Sequence, residues 1–192
     1  MHFPSDMNFQ YFFFDTYPGY FLQALPIAII VAAIWYVIRL RKDKNVTLVS
    51  KFWSCTFVCY MTGLICLVDL LYLMKAAWYL LIYHADSGIT FHLFDGDFNL
   101  LPDFYNHLDG EAIGNLLMFL PFGMLYPLSH PCSTLRKTIS VGILWVAFIE
   151  ICQPILGRSF DINDVILNTL GIAVSATLYF LGKRVLYRKQ SS

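Results

Sequence analysis

Charged side chains are scarce in this chain. Only 14% of the 192 residues are Asp, Glu, Lys or Arg, whereas 58% are hydrophobic and 17% are aromatic, and the mean hydropathy is +0.60. Soluble globular domains carry about 25% charged residues, so this composition excludes an ordinary soluble domain. We expect an integral, multi-pass protein of the cell membrane.

Motifs of the familiar enzyme classes are also absent. The sequence has no Ser-x-x-Lys, Gly-x-Ser-x-Gly, His-Glu-x-x-His or P-loop motif, so serine hydrolases, zinc metalloproteases and nucleotide-driven pumps have no support. The five cysteines lack zinc-type spacing and predict no disulfide framework. No metal, no cofactor and no nucleic-acid partner is expected for this chain.

Long apolar runs dominate the sequence instead. A helix needs about 20 residues, at about 1.5 Å each, to cross the hydrocarbon core of a bilayer. The predicted spans are 20–38, 52–74, 111–128, 138–156 and 162–181. A shorter apolar piece, 76–83, could extend the second helix, lie on the surface or form a re-entrant turn, and the path of 75–110 stays open. The predicted fold is all-α, a polytopic bundle of about five transmembrane helices.

The distribution of basic residues predicts the orientation of this bundle. Five spans with the N-terminus outside put eleven of the thirteen basic residues in the cytoplasm and leave only Lys75 and Arg158 outside. Cytoplasmic loops of membrane proteins carry an excess of Lys and Arg. We therefore expect the N-terminus outside and the C-terminus, with its basic tail, in the cytoplasm.

The stretch 148–171 concentrates polar residues beside apolar runs and predicts a helical hairpin. Pro154 cannot donate to the carbonyl of Glu150, and Gly157 is a good C-terminal cap, so the first helix should end near Leu156. Ser159 or Asp161 can then cap the second helix. The turn between the two helices is therefore only a few residues long.

Spacing predicts that the polar groups of this hairpin converge. Glu150 and Gln153 are three residues apart and share one helical face. The second helix carries a stripe at i, i+3 and i+7 that can face the first: Asp161, Asp164 and Asn168. Asn115, in the first turns of the third span, and Asp69, near the outer end of the second, lie in the same outer third of the membrane. Arg158 lies outside, beside the acidic stripe and the start of the last span. We expect an acidic polar pocket that opens to the outer leaflet.

For most of these residues, a purely structural role is an alternative to ligand binding. The two aspartates can cap and stabilise a helix N-terminus, and the two amides can hold helices together. Arg158 can neutralise a carboxylate or bind a phosphate. Glu150 is harder to explain in this way, since a carboxylate within a span costs about 2.5 to 3.5 kcal/mol on insertion scales.

At these residues the sequence resembles the VanZ-like family of bacterial membrane proteins. The resemblance rests on NLLMFLPFG at 115–123 and on Glu-x-x-Gln followed by Asp-x-x-Asp-x-x-x-Asn-x-x-Gly within 150–171. It carries over the candidate ligand-binding residues Asn115, Glu150, Gln153, Asp161, Asp164 and Asn168, and the structural residues Pro121, Gly123 and Gly171. The family's Asn-Leu-x-Pro-Phe element departs here, because Asp103 separates Pro102 from Phe104.

The resemblance divides the chain into three regions. Residues 1–97 form an N-terminal extension with the first two spans and the start of the external loop, and 98–182 form the VanZ-like core. Residues 183–192 form the basic cytoplasmic tail.

The resemblance implies a role at the bacterial cell envelope. The founding member is associated with resistance to teicoplanin, a glycopeptide with a lipid tail, and no reaction is assigned to the family. The first hypothesis is a protein that binds a lipid-linked envelope precursor or a lipoglycopeptide among the membrane lipids. The second is a membrane enzyme that acts on a lipid headgroup through Glu150 and the Asp161/Asp164 pair. The third is a structural scaffold without a ligand, and the oligomeric state stays open.

Overall fold

The structure, a computed structural model, describes residues 17–42, 47–67, 79–82, 84, 98–103, 105, 110–155 and 159–190. Its long helices are α1 (Tyr17–Lys42), α2 (Leu48–Ile65), α3 (Gly110–Ser129), α4 (Leu135–Ile155) and α5 (Ile162–Gln190). The other described elements are a helical piece at 79–82, within the predicted apolar piece 76–83, and two short strands, β1 (Phe98–Asn99) and β2 (Phe160–Asp161). Each predicted span overlaps one helix, although 68–74 of the second span lie outside the described residues, and the predicted all-α bundle is confirmed.

Four of the helices are long and apolar enough to cross a membrane. These segments are Leu22–Lys42, Leu48–Ile65, Ala112–Ser129 and Ile162–Leu186. Only 17% to 33% of the most apolar part of each is buried within the described structure, so much of their apolar surface is exposed. The helix α4, which corresponds to the predicted span 138–156, is not among the four. The number of five spans and the orientation of the termini therefore stay predictions.

The hydrophobic core lies between α2, α3, α4 and α5. Its most completely buried side chains are Phe119 and Phe122 on α3, Val146 and Ile149 on α4, and Ile172 on α5. Aromatic rings extend this core along α3, where Phe122 stacks on Tyr126 with ring centroids 5.6 Å apart. The core therefore positions the three helices of the predicted VanZ-like region against one another.

Glycines let α3 and α5 pack with their backbones in contact. A Cβ atom at Gly123 would collide with Ser175 Oγ and would lie 2.5 Å from the backbone nitrogen of Ala176. A Cβ at Gly171 would collide with the carbonyl oxygen of Leu116. Neither glycine can therefore carry a side chain while this packing is kept. The structural role of both stays a prediction.

The helix α3 continues through Pro121, whose side chain is exposed. We expected a neighbouring helix to supply a donor near the carbonyl of Leu117, which loses its normal partner at a proline. The hydroxyl of Tyr60, on α2, donates to the next carbonyl, that of Met118, at 2.9 Å. This bond also ties α2 to α3, while a kink at Pro121 stays a prediction.

The two short strands bring a distant segment to the start of α5. β1 and β2 pair in parallel, with Phe98 opposite Phe160 and Asn99 opposite Asp161. The two phenylalanine rings lie 5.9 Å apart, between centroids. This pairing was not part of the all-α prediction, and it places residues 98–103 beside the first turn of the last helix.

Candidate functional site

The start of α5 is fixed by Asp161. Its Oδ1 accepts the backbone N–H of Asn163 at 2.8 Å, so Asp161 rather than Ser159 caps the helix that begins at Ile162. The preceding helix is described as far as Ile155, and the predicted end near Leu156 lies outside the described residues. Gly157 and Arg158, the predicted cap and the predicted phosphate ligand, lie outside the described residues.

A buried carboxylate lies between α4 and α5. Glu150 is 2% exposed, and its Oε1 accepts the side-chain amide of Asn168 at 3.2 Å. Asn168 is equally buried, and its Oδ1 has no hydrogen-bond partner among the described residues. The predicted convergence of the Glu150 face with the Asn168 stripe is therefore seen in the geometry, and it leaves a buried acceptor beside the carboxylate.

A second pair joins α3 to α5. The side-chain amide of Asn115 donates to Oδ1 of Asp164. Asp164 lies four residues before Asn168 on the same helix, so the two pairs are about 6 Å apart along the axis of α5. The third predicted span thus contributes to the same polar region as the hairpin.

The segment 98–103 adds two further pairs at the start of α5. The amide of Asn99 lies 3.2 and 3.3 Å from the two carboxylate oxygens of Asp161. Asp103 and Asn163 pair reciprocally: the amide of Asn163 donates to Oδ1 of Asp103 at 2.7 Å, and the backbone N–H of Asp103 donates to Oδ1 of Asn163 at 2.9 Å. These contacts hold the segment against the helix.

Each pair couples one asparagine amide to one carboxylate. We call these eight residues the amide–carboxylate cluster: Asn99, Asp103, Asn115, Glu150, Asp161, Asn163, Asp164 and Asn168. An ionised carboxylate has about four lone-pair sites and an amide donates only through its NH₂ group, so the cluster has more acceptors than donors. Chemically it suits groups that donate hydrogen bonds, such as ammonium or hydroxyl groups.

The remaining predicted residues take other positions. Gln153 is 4% exposed and lies one turn beyond Glu150 on α4, but among the described residues no hydrogen bond joins its side chain to the cluster. Within the described part of the chain, no group of three or more His, Cys, Asp and Glu side chains is placed to hold a metal ion. The chemistry of the region therefore comes from its carboxylates and amides.

Sequence reasoning missed three members of the cluster. Asn99, Asp103 and Asn163 were not among the predicted site residues, although Asn99 begins the family-like element before the third span. The available signal was Asp103, the residue that interrupts that element. Its partner Asn163 is 60 residues away, a pairing that no local spacing indicates.

Comparison with known proteins agrees with the motifs. The family model described as VanZ/LLP1 matches residues 27–183. Protein VanZ from Enterococcus faecium is 32% identical over 125 residues, which cover 62% of this chain and 76% of that protein. No solved structure matches.

The family match extends beyond the region that carries the motifs. It begins within α1, whereas the resemblance in sequence motifs covered 98–182, and the proposed division into three regions stays a prediction. Family membership and the four long apolar helices together indicate a membrane protein. The chain belongs to the VanZ/LLP1 family.

Proposed function

We propose that the protein is a five-span, multi-pass protein of a bacterial cell membrane that binds a lipid-linked or lipid-tailed amphiphile. The headgroup of this amphiphile contacts the amide–carboxylate cluster in the outer leaflet, and binding changes susceptibility to teicoplanin-type glycopeptides. The observation that carries the proposal is the burial of Glu150, which is 2% exposed between two helices.

A structural role alone does not explain why a carboxylate is buried at position 150. Interhelical hydrogen bonds in membranes contribute about 0.6 kcal/mol on average, whereas a carboxylate within a span costs about 2.5 to 3.5 kcal/mol on insertion scales. The bond from Asn168 could be made equally well to a glutamine at position 150. The net cost favours a function for the charge, as intramembrane ionisable residues generally mark binding or transport sites.

The distribution of basic residues is the reason for placing the cluster in the outer leaflet. With the N-terminus outside, eleven of the thirteen basic residues are cytoplasmic and the start of α5 is extracytoplasmic. The cluster then lies at the outer end of α3, α4 and α5. A glycopeptide or a lipid-linked precursor also meets the membrane from that side.

The chemistry of the cluster indicates the kind of headgroup. Carboxylates with spare lone pairs and the unpartnered Oδ1 of Asn168 favour a headgroup with ammonium, amide or hydroxyl donors. We assign a phosphate, where the ligand has one, to Arg158, the basic residue of the turn between α4 and α5. The exposed apolar faces of the helices suit a lipid tail.

Glycopeptide susceptibility of cells that express the protein tests this function. The Glu150→Gln variant keeps the shape of the side chain and an acceptor for Asn168, and it removes the charge. We expect equal amounts of protein in the membrane and loss of the change in teicoplanin susceptibility.

The matched control is Thr138→Val on the same helix. Thr138 is fully buried and lies outside the cluster, so this variant should behave as wild type. A Glu150→Gln protein with the full wild-type effect on susceptibility would contradict the proposed function.

A further inference from the structure

We propose a second site, independent of the function above, that binds the phosphate of an anionic phospholipid at the end of the α1–α2 hairpin. Its ligands are Arg39, in the last turn of α1, and Lys51, in the first turn of α2. We call this pair the basic elbow. By the predicted orientation it faces the cytoplasmic leaflet, opposite the amide–carboxylate cluster.

The unusual member of this pair is Lys51. It is 5% exposed, although lysine is almost never buried without a partner. Among the described residues, its ammonium group makes no hydrogen bond and no ion pair. A buried cation without an anion is costly, and none of the described residues supplies a carboxylate to Lys51, so a negative group from a ligand would stabilise it.

The two helices bring Arg39 to the same end of the hairpin. The indole N–H of Trp35 donates to Oγ of Ser54 at 3.0 Å, which fixes the register of the antiparallel helices. Arg39 lies one turn beyond Trp35, and Lys51 lies about one turn from Ser54 in the same direction.

Side-chain direction points to the same convergence. Side chains of a helix lean toward its N-terminus, so Lys51 leans toward the end of α2 that adjoins Arg39.

The charged side chains of the two helices are all basic. Neither α1 nor α2 contains Asp or Glu, while the last turn of α1 carries Arg39, Arg41 and Lys42. The N-terminus of α2, which Thr47 caps through the backbone N–H of Ser50, adds the positive end of a helix dipole. An anion is the complementary ligand, and basic sites between transmembrane helices on the cytoplasmic side are suited to phospholipid headgroups.

Apolar residues flank the elbow and favour a lipid over a soluble phosphate. Leu48, Val49 and Phe52 are all exposed on α2, beside the buried Lys51. A phospholipid bound through its phosphate would lay its acyl chains along this surface. An inorganic phosphate ion would leave the same surface unoccupied.

Thermal stability of the detergent-purified protein tests the proposal. The probes are phosphatidylglycerol, phosphatidylcholine as the lipid without net charge, and inorganic phosphate. We expect phosphatidylglycerol to raise the melting temperature most, and Lys51→Met to weaken its apparent affinity about tenfold or more, since hydrogen bonds to charged groups are the strong ones. Lys51→Arg should keep the effect, and Arg39→Gln should reduce it.

The matched control is Lys42→Met, which removes an exposed cation from the same end of α1. It should leave the phosphatidylglycerol shift nearly unchanged. An equal loss in Lys42→Met and Lys51→Met would indicate general surface charge and overturn the proposal, as would a shift by inorganic phosphate as large as that by the lipid. If Lys51→Met does not fold, Lys51→Arg and Arg39→Gln decide by the same comparison.

The Asp43→Asn variant tests an internal ion pair. Asp43 lies in the connection between α1 and α2, outside the described residues, and is the only carboxylate in residues 17–65. We expect the stability without lipid to stay unchanged in this variant. A loss of stability without lipid, with no shift by phosphatidylglycerol, would overturn the proposal.

Discussion

Glu150 and Thr138 are two buried polar residues of one helix that differ in their hydrogen bonding. Both lie on α4 and both are essentially inaccessible, at 2% and 0% exposure. Glu150 accepts a hydrogen bond from Asn168, whereas the hydroxyl of Thr138 has no partner in the part of the chain that the structure describes. Only the first residue is part of a polar network, and this difference can be measured.

We predict that Asn168→Leu destabilises the protein by about 1 to 2 kcal/mol, because it removes the amide that Glu150 uses. Thr138→Val removes a buried hydroxyl without a partner and should cause no loss. The measurement is the free energy of unfolding in mixed micelles. Equal values for both variants and wild type would show that the bond between Asn168 and Glu150 contributes nothing.

Local spacing predicted part of this network and could not predict the rest. Glu150 and Asn168 lie on two helices joined by a short turn, so their facing positions followed from the 3.6-residue period. Asp161 and Asp164 instead pair with Asn99 and Asn115, which are 62 and 49 residues away. Such partners depend on how distant elements pack, which no single helix encodes.

At the scale of elements, the closest packing is that of α3 on α5. Gly123 and Gly171 each face the backbone of the other helix, so an added methyl group cannot be accommodated by the rotation of a side chain alone. Gly114, also on α3, has nothing within 4 Å of the position of its Cβ. A Gly→Ala substitution is therefore expected to have opposite consequences at Gly123 and at Gly114, which lie on the same helix.

We predict that Gly123→Ala and Gly171→Ala each destabilise the protein by about 1 to 3 kcal/mol through overpacking. Gly114→Ala should be neutral or slightly stabilising, because alanine is the better helix former. Thermal unfolding in detergent measures all three. A Gly123→Ala protein as stable as Gly114→Ala would contradict the close packing of the two helices.

The helices were predictable from the apolar runs, whereas the two strands were not. Each predicted span became a helix, since stretches of about 20 apolar residues have few alternatives. β1 and β2 are two residues long and pair across a separation of 62 residues, which is too short and too distant a pattern for periodicity to detect. This small pairing nevertheless positions Asn99 and Asp103 against α5.

At the scale of the whole molecule, we predict that five helices cross the membrane. The predicted five spans put the α3–α4 connection in the cytoplasm and the α4–α5 connection outside. Cys132 lies exposed in the first connection and Ser159 lies exposed in the second. The two positions are on opposite sides only if α4 crosses.

We predict that a membrane-impermeant maleimide labels Cys132 only after the cells are permeabilised. A Ser159→Cys residue, in a Cys132→Ala background, should be labelled in intact cells. Labelling of both positions from the same side would show that α4 does not cross. The reverse pattern would show that the orientation is inverted.

The central claim is that the amide–carboxylate cluster binds an amphiphile through the charge of Glu150. The direct measurement is a thermal-shift comparison of wild type and Glu150→Gln in detergent, with teicoplanin, vancomycin, lipid-linked precursors and polyprenyl phosphates. A ligand present at a hundred times its dissociation constant adds about 2.7 kcal/mol of stability. We expect at least one lipid-bearing compound to stabilise wild type and to leave Glu150→Gln unshifted, with both proteins equally stable alone. Stabilisation of neither protein by any compound, or equal stabilisation of both, would contradict the claim.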